Sequence, residues 1–249
     1  MSKYILEVCT DSVESSIAAD QAGADRLELC SNLMIGGTTP GSCLFNAVRK
    51  YCDIKIHVLI RPRYGDFCYT DYEYEVMKEE VKLFRDMGAD GLVIGILKPD
   101  GNLDIERMEG LMESAKGIPF TLHRAFDMCA DPFRALEEAK LLGFKTILTS
   151  GQQNKCSEGQ ELIQRLVELS KGDLDILVGG GVDAGVIQQL APFTKASAYH
   201  MSGKRILEGS MEYRKEGISM GLPGLSEYQL LRTSKSEIMH AAEVLKKLQ

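Results

Sequence analysis

AGADRLEL at residues 22–29, MGADGLVI at 87–94 and LGFKTILT at 142–149 share one layout. A helical run closes on Gly23, Gly88 or Gly143, and a short apolar, β-rich run follows almost at once. Glycine takes the left-handed conformation that ends a helix without a Cβ penalty. Each stretch is therefore a joint where a helix hands over to a strand, and its glycine is structural, on the face opposite any site. Outward from these joints, strand-like runs fall at residues 4–9, 26–30, 55–60, 91–95, 120–123, 146–149, 176–178 and 197–200. Helical patterns lie between them, for example at 72–87, 105–116, 132–142 and 158–171. Strands separated by helices imply right-handed βαβ units and a parallel sheet. Eight such units predict an α/β fold closed as a (β/α)₈ barrel, and 249 residues match one such domain. The whole chain, 1–249, reads as a single TIM-barrel domain. An amphipathic helix at 234–248 is appended to close the barrel floor or extend the final helix.

The composition is that of a soluble globular protein, 44% hydrophobic and 26% charged. A formal net charge of -7 argues against nucleic acid or anionic lipid as a partner, since both need a basic face. It leaves room for a local pocket that takes a small anion. No run approaches the roughly 20 apolar residues of a membrane span, and MSKYILEVCT is no signal peptide. With seven cysteines and no CxxC pair, a reduced, cytoplasmic protein is expected.

Alternation along the strands sorts the polar residues. Ile5, Glu7 and Cys9 share one face, as do Arg26, Glu28 and Cys30; then His57, Leu59 and Arg61; Thr121 and His123; and Ala198, His200 and Ser202. The opposite faces carry Leu6, Val8, Leu27, Leu29, Val58 and Ile60, suited to packing under helices. Glu7, Glu28, His57, Arg61, His123 and His200 are thus expected to point into the barrel, converging where barrel sites occur. Two carboxylates on adjacent strands repel unless a cation, an arginine or a shared proton intervenes; Arg61 is the nearest candidate by strand order. The bland alternative is a buried ion-pair network that fills the barrel.

The loops add further candidates. IRPRYGDFCY after the third strand offers Arg61 and Arg63 as planar forks for carboxylate or phosphate, or as arginines binding local carbonyls. LHRAFD after the fifth offers His123 as acid, base or ligand, with Asp127 to orient His123 or Arg124. Gly179, Gly180 and Gly181 follow the seventh strand, and Ser202 and Gly203 follow the eighth. Loops in these places form the frequent phosphate-binding loop of such barrels. Thr149 opens a small, donor-rich end after the sixth strand. The GGTTPG loop at 36–41 reads as a lid or as an ordinary loop. Cys9 and Cys30 end adjacent strands. They are either small buried hydrophobes or two thiolates for a soft ion such as Cu(I).

LEVC, GADRLELC, GGTTP, HVLIRPRYGDFCY, TLHRAFD, ILTSG, GGGV and YHMSG follow in an order that resembles the CutC family of copper homeostasis proteins. The resemblance runs from about Leu6 to about Gly203, with Thr38 standing where leucine is common and Tyr199 where phenylalanine is usual. It implies a (β/α)₈ barrel, a cytoplasmic role in copper handling, a Cu(I) site at Cys9 and Cys30, and homo-oligomers. The inward residues themselves suggest a second reading, an enzyme acting on a small phosphorylated or carboxylated metabolite. In it Glu7 or Glu28 is the general base, His123 the acid/base partner and Arg61 the anion clamp.

Overall fold

The structure is a computed structural model that describes residues 4–248 apart from 222, 223 and 225. Eight parallel strands close into a barrel: β1 (Ile5–Thr10), β2 (Arg26–Leu29), β3 (Lys55–Leu59), β4 (Gly91–Ile94), β5 (Phe120–Leu122), β6 (Thr146–Thr149), β7 (Asp175–Val178) and β8 (Ala198–Met201). β8 pairs back onto β1, with His200 beside Glu7. The outer ring is α1 (Val13–Gln21), α2 (Ser42–Tyr51), α3 (Asp71–Asp86), α4 (Ile105–Ser114), α5 (Pro132–Leu142), α6 (Gln160–Ser170), α7 (Ala184–Thr194) and α8 (Lys235–Lys247).

The helix-to-strand joints are built as their repeated motif requires. Gly23, Gly88 and Gly143 have φ of 87°, 81° and 87°. The aspartate of the GAD motif has a second duty. Asp25 Oδ2 accepts the Leu6 N–H at 2.7 Å, and Asp90 Oδ2 accepts the Ile56 N–H at 2.8 Å. These two joints thus tie off the start of the neighbouring strand. Helix starts are equally explicit: Thr70 and Glu73 form a reciprocal capping box on α3, and Asp131 caps α5 ahead of Pro132.

Strand parity is as the alternation predicted. The large apolar shell under the helices holds Leu6, Val8, Leu27, Leu29, Val58 and Ile60. Inside the barrel, Cys9, Cys30, Leu59 and Val93 form one small cluster, and Leu148, Leu177 and Ala198 form another with Ile5 against it.

The C-terminal segment differs from expectation. α8 is not an appendage; it packs against α7, α1 and β1, and so completes the helical ring between its last and first members. A hairpin, β9 (Lys204–Glu208) with β10 (Gln229–Thr233), intervenes between β8 and α8 and was not foreseen. Its ends meet, because Ser234 N–H donates to the Gly203 carbonyl at 2.8 Å, so the hairpin is an excursion from the barrel wall. Leu225 and Gln249 lie outside the described residues. Among the described residues, no helix is long and apolar enough to cross a membrane.

Candidate functional site

Glu7, on β1, is fully buried, and a lone carboxylate there would be unsustainable. Arg26 Nε donates to its Oε2 at 2.5 Å, and His200 Nδ1 lies 2.7 Å from its Oε1. Burial alone would raise the Glu7 pKa, but Arg26 and then His200 hold it far below the usual carboxylate range. The arginine that relieves Glu7 is therefore Arg26, not Arg61. The parallel register, which sets Glu7 beside Arg26, is the signal that names it.

Glu28 has a different environment. Its Oε2 accepts from Cys9 Sγ at 3.0 Å and lies 3.9 Å from His200 Nε2. Burial pushes its pKa up against the pull of His200, and the nearby Glu7 charge adds to the rise. His200 stands between the two carboxylates. Burial favours its neutral ring, yet Glu28 and Glu7 together raise its pKa. Cys9 Sγ is 3.7 Å from Cys30 Sγ. The shared hydrogen bond with Cys30, then burial, keeps the Cys9 thiol well above its ordinary range. The ligand atoms of Cys9, Glu28 and His200 all lie within 4.8 Å of one another, close enough to share one metal ion.

These groups open onto a cavity of about 260 Å³ at the C-terminal ends of the strands. Cys9, Glu28, Arg61, His123, Arg124, Gly180, Gly181, His200 and Ser202 line it with Leu33, Leu59 and Phe67. His123 is buried and its Nδ1 accepts the Ala125 N–H at 3.1 Å, which fixes the proton on Nε2. Burial, then the Arg61 charge, drop its pKa to about 3, so it is a neutral donor.

Other expected residues have different duties. Arg61 lines the cavity, but its Nη1 donates to the carbonyls of Gly36 and Gly37 and its Nη2 to that of Gly65. Instead of clamping an anion, it pins the 36–41 loop to the loop after β3. Thr39, in the same loop, bonds Arg61 N–H and Glu80 as well, so the loop is anchored rather than a free lid. Arg63 lies outside the cavity and braces α3 through Glu73 at 2.6 Å and Asp66 at 3.0 Å. Thr149 is buried behind the cavity wall, donating to Asp127 and accepting from Gly151 N–H. Asp127 does not reach His123. It accepts from Arg124 Nε at 2.7 Å and from the backbone N–H groups of Ser150 and Gln152. It is the anchor of Arg124 rather than a reacting acid. Gly179 leaves room for Leu148, whose Cδ1 would lie 2.6 Å from an added Cβ. Gly203 turns toward Ile238 of α8, at 2.6 Å on the same measure. Ser150, in the donor-rich end after β6, bridges Arg124 and Asp127.

A closed parallel barrel with a polar, thiol-bearing cluster at its strand C-termini defines this molecule as a TIM-barrel protein with a candidate metal or small-molecule site. More narrowly, the chain belongs to the CutC family, which matches residues 4–205. It is 42% identical over 236 residues to the human copper homeostasis protein cutC homolog, covering 94% of this chain and 86% of that protein. It is 40% identical over 245 residues to a CutC family protein of Bacteroides fragilis strain YCH46, covering 98% of each. The crystal structure of the copper homeostasis protein CutC from Streptococcus agalactiae superposes with a TM-score of 0.77 at 33% identity, covering 80% of this chain and 98% of that one.

Proposed function

We propose that this chain binds Cu(I) through Cys9 and Cys30, in a cytoplasmic copper-handling role like the one its relatives are named for. The observation that carries the reading is the thiol pair, 3.7 Å apart, with the Glu28 carboxylate 3.0 Å from one sulfur. Soft thiolates select Cu(I) over hard cations. A thiol must lose its proton to become a ligand, and metal binding releases that proton. Glu28 is the built-in acceptor for the Cys9 proton, and burial raises its pKa above the ordinary carboxylate value. His200 Nε2 offers a third donor on the same side. Leu33 and Leu59 pack around the sulfurs and shield them from water. All seven cysteines are free thiols, in keeping with a reducing compartment. Titration of Cu(I) against a chromophoric chelator tests the reading. One ion per chain should be held by the wild type and lost in the Cys9→Ser/Cys30→Ser variant, with Zn(II) binding more weakly. Equal Cu(I) affinity in the two proteins overturns it.

One observation favours a second reading, acid–base catalysis on a small phosphorylated or carboxylated molecule. The cavity is far larger than an ion, and Glu28, not Glu7, is the carboxylate at its wall with a raised pKa. Glu28 would be the base, and His123 a neutral hydrogen-bond donor to the substrate. Mass spectrometry of small molecules released on denaturation tests this. An anion retained by the wild type and absent from Glu28→Gln supports it; identical release from both counts against it.

A further inference from the structure

The cavity has a second wall, across from the sulfurs, that neither thiol binding nor the carboxylates use. Arg124 stands on it. Its Nε is fixed by Asp127 at 2.7 Å and its Nη2 by Ser150 Oγ at 2.7 Å. Asp127 is itself held by Thr149 Oγ1 and by the N–H groups of Ser150 and Gln152, so the guanidinium is set in place before any ligand arrives. Its Nη1 makes no hydrogen bond among the described residues. Gly180, Gly181 and Ser202 line the same cavity. Gly180 and Gly181 have φ of 92° and 78°, a backbone that other residues adopt only with strain. At Gly180 an added Cβ would also lie 2.9 Å from Ser150 Cβ and 3.7 Å from the Arg124 guanidinium carbon. Glycine thus keeps the loop backbone close against Arg124. The Gly180 and Gly181 N–H groups and the Ser202 hydroxyl serve no other bond among the described residues.

Charge points the same way. The fixed charges lining the cavity are the guanidinium groups of Arg61 and Arg124 against the single carboxylate of Glu28, within a chain whose formal net charge is -7. A concave, locally positive site in an acidic protein concentrates small anions. A preorganised guanidinium, two backbone N–H groups and a hydroxyl offer more donors than the two oxygens of a carboxylate use well. They match the three terminal oxygens of a phosphoryl group. Beyond them, Leu33, Leu59 and Phe67 give the cavity an apolar side.

We propose that this wall is a binding subsite for a small phosphate monoester, with its phosphoryl group on Arg124, Gly180, Gly181 and Ser202 and a compact apolar body toward Phe67. The inference rests on the cavity of the proposed function but not on its thiols, so the Cys9→Ser/Cys30→Ser variant separates the two.

Calorimetry on that metal-free double variant, with phenyl phosphate, inorganic phosphate and benzoate as probes, tests the subsite. Phenyl phosphate should bind more tightly than either of the others. Arg124→Met and Ser202→Ala should each weaken it by about tenfold, the equivalent of about 1.4 kcal/mol per lost charge-assisted contact. Arg134→Met, on the exposed face of α5, should leave it unchanged. Ser202→Ala guards against the case in which Arg124→Met disturbs the loops. Benzoate binding as tightly as phenyl phosphate overturns the phosphoryl assignment. Inorganic phosphate binding as tightly overturns the organic body. Failure of phenyl phosphate to bind, or equal binding by Arg124→Met and Ser202→Ala, overturns the subsite, whatever Cu(I) does.

Discussion

Replacing Glu7 by glutamine keeps the shape of the side chain and removes its charge. In the native protein that charge faces Arg26 at 2.5 Å and His200 at 2.7 Å, with only 1% of the Glu7 side chain and 10% of the Arg26 side chain exposed. The two partners respond differently. His200 can shed its proton and remain as a neutral ring. Arg26 cannot, because a guanidinium stays charged at any working pH. Its Nη2 is already buried without a partner, so the variant strands a positive charge inside the barrel. Breaking one side of a buried ion pair costs about 3–5 kcal/mol. For a domain of this length that is a fall of roughly 6–20 °C in Tm. Urea unfolding at pH 7 measures the loss. The double variant Glu7→Gln/Arg26→Met should recover much of it, because both the charge and its partner are then gone. NMR titration of His200 should show its pKa falling in Glu7→Gln. A destabilisation below about 0.5 kcal/mol, the level of ordinary surface substitutions, would falsify the assignment of Glu7 as an ionised anchor.

Two further outcomes follow from the same buried histidines. Burial holds the pKa of His57 at about 4 and that of His123 at about 3, against 6.5 in the unfolded chain. Below pH 6.5 the unfolded state takes up protons that the folded state refuses, so stability falls as pH drops from 6.5 toward 4, by about 2 kcal/mol per histidine at pH 5. His200, whose pKa is raised, has the opposite sign: its contribution is complete below pH 6.5 and is lost as pH rises through its folded value, so it does not soften the acid limb. Urea midpoints from pH 7 to pH 5 check this, and a flat profile contradicts neutral burial. Second, an alanine at Gly95 would put its Cβ 2.5 Å from His123 Cε1 and 2.9 Å from Ala125 Cβ. Gly95→Ala should cost about 1–3 kcal/mol by overpacking and should shift the His123 ring signals, whereas a variant as stable as wild type with unmoved signals speaks against the tight seat drawn for His123.

The barrel was legible in the chain because its signals are local. A glycine that ends a helix, a period of two along a strand and a capping residue ahead of a helix act within a few residues of one another. Alternation alone therefore put Glu7, Glu28, His123 and His200 on the inner face and Leu6, Leu27 and Val58 under the helices. The pairing within that inner set was not local. Which arginine meets Glu7 depends on how β1 and β2 are staggered, and that stagger chose Arg26. Arg61 and Arg63 have the same chemistry and lie two positions apart, yet one pins two loops at the cavity wall and the other braces α3 through Glu73 outside it. The hairpin between β8 and α8 escaped the sequence reading, because an exposed excursion has no buried face to impose a period on its residues. Residue order thus determined which side chains enter the barrel, since that follows from backbone alternation. Tertiary structure decided which of them touch, since hydrogen bonds and charge pairs depend on distances set by strand stagger and loop path.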